Sequence, residues 1–168
     1  MKKDHSAFLK TFGKLLHYFT SKEEGNLAFH VNDNPDNVVY NHKVLATKLS
    51  YDYAKLVHMQ QIHSADVHII QNEDDFLNPP ICDAIVTNKK NIPLIVMVAD
   101  CSPILLYDTK LHVIAAIHAG RQGAFKNILQ ATLCTMNKEF NSKADNIVVA
   151  IGANILGSCY EVGEEIFH

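Results

Sequence analysis

Apolar residues recur along this chain with two different periods, and the switches between them mark its elements. Phe8, Phe12, Leu15, Leu16 and Phe19 share one helical face and predict an opening helix whose end can equally enter a strand. Asn34-Pro35-Asp36 is a helix-start signal with Pro35 suited to the first turn, and that helix is expected through about Leu49. Apolar or alternating runs predict strands at 57–62, 67–71, 84–87, 94–99, 104–107, 113–117 and 147–151, with a polar loop at 72–80. Phe125, Ile128, Leu129, Thr132, Leu133, Met136 and Phe140 keep helical spacing, which predicts one amphipathic helix over 123–140. Strands outnumber helices and cluster mid-chain, so strict βαβ alternation is absent. The pattern predicts an α/β (α+β) fold: a mixed β-sheet sandwich flanked by helices, in a single domain over residues 1–168.

Composition narrows the function classes. The 168 residues are enough to bury roughly 70% of the unfolded surface in one core. With 48% hydrophobic and 20% charged residues the chain reads as globular, and its formal charge of −3 comes with no basic stripe. Net charge does not draw nucleic acid to such a surface, so no nucleic-acid partner is expected. No apolar run is long enough to span a bilayer, and Lys10 and Lys14 interrupt the stretch after the basic start. No membrane partner and a cytoplasmic location are therefore expected. Cys82, Cys101, Cys134 and Cys159 form no CxxC pair and are expected to be thiols. Oligomeric state is not legible in the pattern.

Two reactive residues interrupt the central strands. Cys101 sits between two apolar runs, and His118 closes the next one just before Gly120. Neighbouring strands can bring them together as a metal site or as a nucleophile–base pair. A generic cysteine is more often buried and inert. Here Asp100 and Pro103 argue against a sheltered position, and an acidic neighbour suits a cation-bound thiolate better than a free one. His118-Ala-Gly-Arg-Gln-Gly123 is either an ordinary strand-to-helix turn or an anion cradle with Arg121 nearby. It is neither a Walker loop nor the dinucleotide fingerprint. Of the other histidines, His5, His17, His42 and His168 read as surface residues, and His58, His68 and His112 as strand residues facing solvent. His63 stands apart because it ends a strand and opens a turn. Local zinc signatures place ligands about two to five residues apart, and these residues do not follow that spacing.

Taken together, the motifs resemble a known family. Phe19-Thr-Ser-Lys22, Gly25-Asn-Leu27, Val31-Asn-Asp33 through Asn41, Gln61-Ile-His-Ser64, Asp83-Ala-Ile-Val-Thr87, Ala99-Asp-Cys-Ser-Pro103, His118-Ala-Gly120 and Gly157-Ser-Cys-Tyr-Glu-Val-Gly-Glu-Glu-Ile166 follow one another as in the YfiH-like family. That family was long labelled laccase-domain or multicopper polyphenol oxidase, and its members are described as purine nucleoside phosphorylases. The resemblance covers residues 19–166. It implies a mixed sandwich with the site at strand ends, and it carries metal-ligand and catalytic roles to His63, Cys101 and His118. Three protein ligands with one open position is the arrangement of a catalytic zinc site, so Zn2+ is the implied cofactor and Cu the alternative. Purine nucleoside and phosphate are the implied partners, with Lys22, Asn26, Gln61, Asp100 and Arg121 as candidate substrate-binding residues.

Three departures bear on activity. The family's HAGWRG reads His118-Ala-Gly-Arg-Gln-Gly123, with Arg121 for the Trp and Gln122 for the Arg. Lys22 replaces the arginine of FTTR, keeping the charge but losing bidentate geometry. Relatives also run on through a further C-terminal segment, which this sequence is expected to lack. The leading expectation is a zinc-dependent purine nucleoside enzyme performing phosphorolysis and, in some members, adenosine deamination. The alternatives are a copper polyphenol oxidase, disfavoured by the absence of any H-x-H pair, a Cys–His thiol hydrolase editing a cell-wall precursor, and a degenerate member that only binds.

Overall fold

In the computed structural model, which describes residues 9–166, the signal at Asn34 opens the first long helix, α1 (Pro35–Leu49). The Asn34 side chain accepts the Asp36 N–H, and Ser50 closes the helix in the left-handed conformation. Val38, His42, Leu45 and Ala46 form its buried stripe.

Five strands make one sheet: β1 (Val67–Ile69), β2 (Ala84–Thr87), β3 (Ser102–Asp108), β4 (Ile114–Ala119) and β5 (Ile147–Ile151). Their order is β1-β2-β4-β3-β5. β1 and β2 are parallel, and the other pairs are antiparallel. Two helices follow β4: α2 (Arg121–Phe125) and α3 (Ile128–Phe140). On one face of the sheet Ala84, Val86, Ile104, Leu106, Ala115 and Ile117 meet Ile128 and Met136 of α3. These are alternate residues of each strand, as the pleat requires. On the other face Ile85 and Ala116 pack against Val57, Met59, Ile70 and Cys82. This is the mixed α/β class that the pattern predicts, one sheet with flanking helices in a small domain.

The differences from expectation are local. Residues 57–62 and 94–99 are buried in part but join no ladder; isolated bridges at Val57–Leu94 and Gln60–Ile81 hold them. The second layer is therefore extended chain and not a second sheet. The opening segment makes only a 3-10 turn at Leu9–Thr11; Phe8 lies outside the described residues. Phe12 then packs edge-on to Tyr107 at 5.5 Å, and Phe19 seats over Gly152, where a Cβ would lie 2.6 Å from its ring. These tertiary contacts replace the helix. The helix expected over 123–140 starts earlier, at Arg121, and breaks at Asn127, which adopts φ 60.

The histidine assignments also change. His17, His42 and His58 are buried, not solvent-facing. His68 is half-buried and pairs with Asp74, while His112 is exposed in the β3–β4 turn and bonds Tyr107. His5 and His168 lie outside the described residues. Among the described residues no helix is long and apolar enough to cross a membrane.

Candidate metal and catalytic site

β4 lies between β2 and β3, and His118 near its C-terminal end pairs with Pro103 of β3. Strand alternation puts the His118 side chain on the face of Ala116, away from α3. Cys101 immediately precedes β3, whose first residue, Ser102, pairs with Ala119. His63 occupies a turn before β1 with φ 59, a conformation uncommon outside glycine. The ligand atoms of His63, Cys101 and His118 all lie within 4.8 Å of one another. The two rings meet edge to face, 4.7 Å between centroids and 80° between planes. His118 is buried, Cys101 half-buried and His63 exposed, so the cluster opens to solvent on the His63 side.

Gly120 forms the floor of this cluster. A Cβ there would lie 2.8 Å from His63 Cδ2, 3.2 Å from Cys101 Sγ and 3.4 Å from His118 Cε1. Its backbone is extended (φ −73), so the glycine is needed for space and not for conformation. Gly123 serves a similar close approach, because a Cβ there would meet the Ser64 carbonyl oxygen at 2.9 Å. α2 can therefore pack directly on the His63 turn.

Sequence reading missed the residue that ties these pieces together. Asp83, fully buried just before β2, accepts His118 Nδ1–H at 2.8 Å and the backbone N–H of His63 at 3.0 Å through Oδ1. Its Oδ2 accepts the N–H of Ile62 at 3.2 Å, the N–H of Ser64 at 2.6 Å and the Ser64 hydroxyl at 2.8 Å. The available signal was a lone carboxylate at the edge of an otherwise apolar strand, which needs partners if it is buried. Burial pushes the Asp83 carboxyl up, but the bonds from His118, Ser64 and Ile62 outweigh it and hold it below the ordinary value. Burial, with Asp100 and Asp83 nearby, pushes the Cys101 thiol up. A cation among the three side chains would reverse that preference.

The donor set suits a metal ion. Two imidazoles and a thiol are borderline-to-soft ligands of the kind zinc and copper take. Zinc–ligand bonds of about 2.0–2.3 Å place ligand atoms roughly 3–4 Å apart, and the separations here are bounded by 4.8 Å.

The candidate substrate residues fall in two places. Asp100, φ 74 and exposed, adjoins Cys101 and holds Ile155 N–H on its carbonyl at 2.9 Å. Arg121 adjoins Gly120 at the start of α2 and is half-buried. α2 spans only five residues, and its Gly120 cap makes no side-chain bond. Lys22 and Asn26 line a broad groove of about 2280 Å³ together with Met97, Val98, Ala99 and Pro103. That groove reaches the residues flanking Cys101, but the triad does not line it. Asn26 bonds Ala28 and Asp33 and so shapes its own turn. Gln61 clamps the backbone of Met97 with both ends of its amide, at 2.7 and 3.0 Å, and thereby fixes the segment leading to Cys101.

Fold and site together define a mixed α/β domain with a His–Cys–His cluster that could hold a metal ion at the ends of its central strands. The family model described as multi-copper polyphenol oxidoreductase laccase matches residues 12–168, and the chain belongs to that family. It is 41% identical over 140 residues to a purine nucleoside phosphorylase of Corynebacterium glutamicum, covering 83% of this chain and 56% of that protein. It is 32% identical over 148 residues to adenosine deaminase RL5 from an unknown prokaryotic organism, covering 84% of this chain and 56% of that one. The crystal structure of Bacillus licheniformis YfiH superposes with a TM-score of 0.80 at 26% identity, covering 84% of this chain and 56% of that one. The chain thus spans a little over half the length of these relatives.

Proposed function

We propose that this chain carries the metal site of a purine nucleoside enzyme that cleaves the ribosyl bond with phosphate, with adenosine deamination as a second reaction. The carrying observation is the convergence of His63, Cys101 and His118 above the side-chain-free floor of Gly120. The similarity to purine nucleoside phosphorylases supports the substrate class, and the similarity to an adenosine deaminase supports the second reaction. A zinc ion on these ligands would supply Lewis-acid polarisation at one open position.

The chain's own groups divide the remaining work. His63 forms the solvent-facing side through which a substrate reaches the site. Arg121 and Lys22 are the cations offered to phosphate, Arg121 as a planar fork of donors and Lys22 as a point charge. Asp100 offers a polar group beside Cys101, Asn26 shapes the turn that lines the neighbouring groove, and Gln61 holds the segment that leads to Cys101. The copper-oxidase reading has less support: the described residues contain one three-ligand group, and the sequence contains no H-x-H pair.

The test combines elemental analysis of the purified protein with turnover of adenosine and inosine, with and without phosphate. Stoichiometric zinc and phosphate-dependent release of purine base are expected. Cys101→Ala should abolish both and leave the fold intact, because a catalytic site sits on a preformed sheet. The control is His112→Ala, in the β3–β4 turn, which should change neither. Full zinc and activity in Cys101→Ala would refute the proposal, as would a zinc-loaded protein that turns over no nucleoside. Activity lost with zinc retained would instead favour a cysteine nucleophile.

A further inference from the structure

Asp83 reaches two of the three cluster residues through one oxygen and the turn that carries His63 through the other. Oδ1 faces the His118 ring and the His63 backbone, while Oδ2 faces Ile62 and Ser64. The Ser64 hydroxyl accepts from Asp66 N–H at 3.0 Å, so its own proton goes to Asp83. Every group around the carboxylate is then a donor, and the Nδ1 of His118 must be one as well. An imidazole protonated on Nδ1 keeps its Nε2 lone pair free.

We infer that Asp83 is a positioning residue for the metal site: it fixes the Nδ1–H tautomer of His118 and, through three backbone N–H groups, the left-handed turn that presents His63. This inference rests on the metal-site reading above and assigns to one side chain the readiness of two ligands before any ion arrives. Carboxylate support of this kind raises ligand basicity and removes the need to reorganise on binding. An asparagine cannot reproduce it. Its single oxygen can face either the His118 and His63 donors or those of Ile62 and Ser64. The amide N–H2 then opposes donors on the other side. If the amide faces His118, the ring must turn acceptor at Nδ1 and carry its proton on Nε2, the atom the metal needs.

The test uses the full chain and zinc alone, without nucleoside. Asp83→Asn should weaken zinc binding by about 10- to 100-fold in a chelator competition. Asp108→Asn is the matched control, since Asp108 is also fully buried and also accepts turn N–H groups, from Lys110 and Leu111 at the other end of β3. Its one remaining oxygen can keep both turn bonds, so the variant should fold and leave zinc affinity within about twofold of the parent protein's. The second readout is the 15N shift pattern of His118 in metal-free protein, which should report Nδ1–H in the parent and a change in Asp83→Asn. A parent tautomer protonated on Nε2 overturns the inference even if the variant does not fold. So does unchanged zinc affinity in folded Asp83→Asn, or an equal loss in Asp108→Asn. Cys101→Ala separates the two levels: if it also binds zinc normally, the metal-site reading itself has failed, whereas a loss there with none in Asp83→Asn removes only the role of Asp83.

Discussion

Two pairs of histidines in this molecule are chemically opposite. His63 and His118 stand at the sheet end with a carboxylate behind them and solvent in front. His42 and His58 lie in an aromatic box with Phe29, Tyr53 and Phe76, the ring of Phe76 being 4.9 Å from His42 and 5.0 Å from His58. There each Nε2 donates to a backbone carbonyl, Leu27 for His42 and Phe76 for His58, and both rings are buried. The first pair turns its lone pairs toward a shared space. The second uses its protons to fasten the 27–29 segment onto α1 and the 72–80 loop onto the extended 57–62 segment. What separates the pairs is what their rings face: His63 and His118 converge with Cys101, His118 backed by a carboxylate, whereas the clasp rings face backbone carbonyls and aromatic rings.

The largest effect that would break this contrast is in the clasp. Phe76→Ala should cost about 3 kcal/mol of stability in denaturant unfolding, since four rings lose their common neighbour. Zinc affinity of the folded protein should stay unchanged; a parallel loss would mean that the two pairs are not independent. Gly120→Ala should do the reverse. Its backbone accepts alanine, but the new methyl occupies the space between His63 and Cys101. We expect zinc affinity to fall at least about 10-fold, as when a supporting contact is lost at a metal site, with little change in thermal midpoint. Retained affinity would show that Gly120 is not the floor of the site.

The smallest effect is one of pH. Burial holds both His42 and His58 below the ordinary imidazole value, against the carbonyl contacts that pull the other way. They stay neutral in the folded chain, while the unfolded chain takes up protons as pH falls through about 6.5. Their contribution is therefore complete above that value and declines below it, at up to about 1.4 kcal/mol per pH unit for each ring. Urea midpoints between pH 8 and 5.5 should drop in the parent protein and drop less in His42→Gln. Parallel curves would remove His42 from the explanation.

Sequence periodicity carried much of the fold because it reports burial. The limits of α1, β2 and β5 follow directly from a cap signal or an apolar run. The segments at 57–62 and 94–99 show where that logic stops, since Val57 and Met59 are buried without laddered hydrogen bonds. The α2–α3 break was hidden because Phe125 continues the helical spacing, yet it is 80% exposed and belongs to a separate turn of helix. His42 was misassigned by residue type although it shares the spacing of Val38, Leu45 and Ala46. At the site, the residues at strand ends were visible as reactive interruptions of apolar runs. Asp83 was not, because only the fold reveals which donors surround it.

The central place of β4 has a kinetic consequence. Its backbone is hydrogen-bonded to β2 on one side and β3 on the other, so His118 sits on a strand whose amides should exchange with deuterium only near global unfolding. His63 and Cys101 lie outside the ladder, in a turn and at a strand lip. The His63 turn is instead held by side-chain bonds to Asp83, so local opening there is expected to expose the amides of Ile62 to Ser64 to exchange well before those of β4.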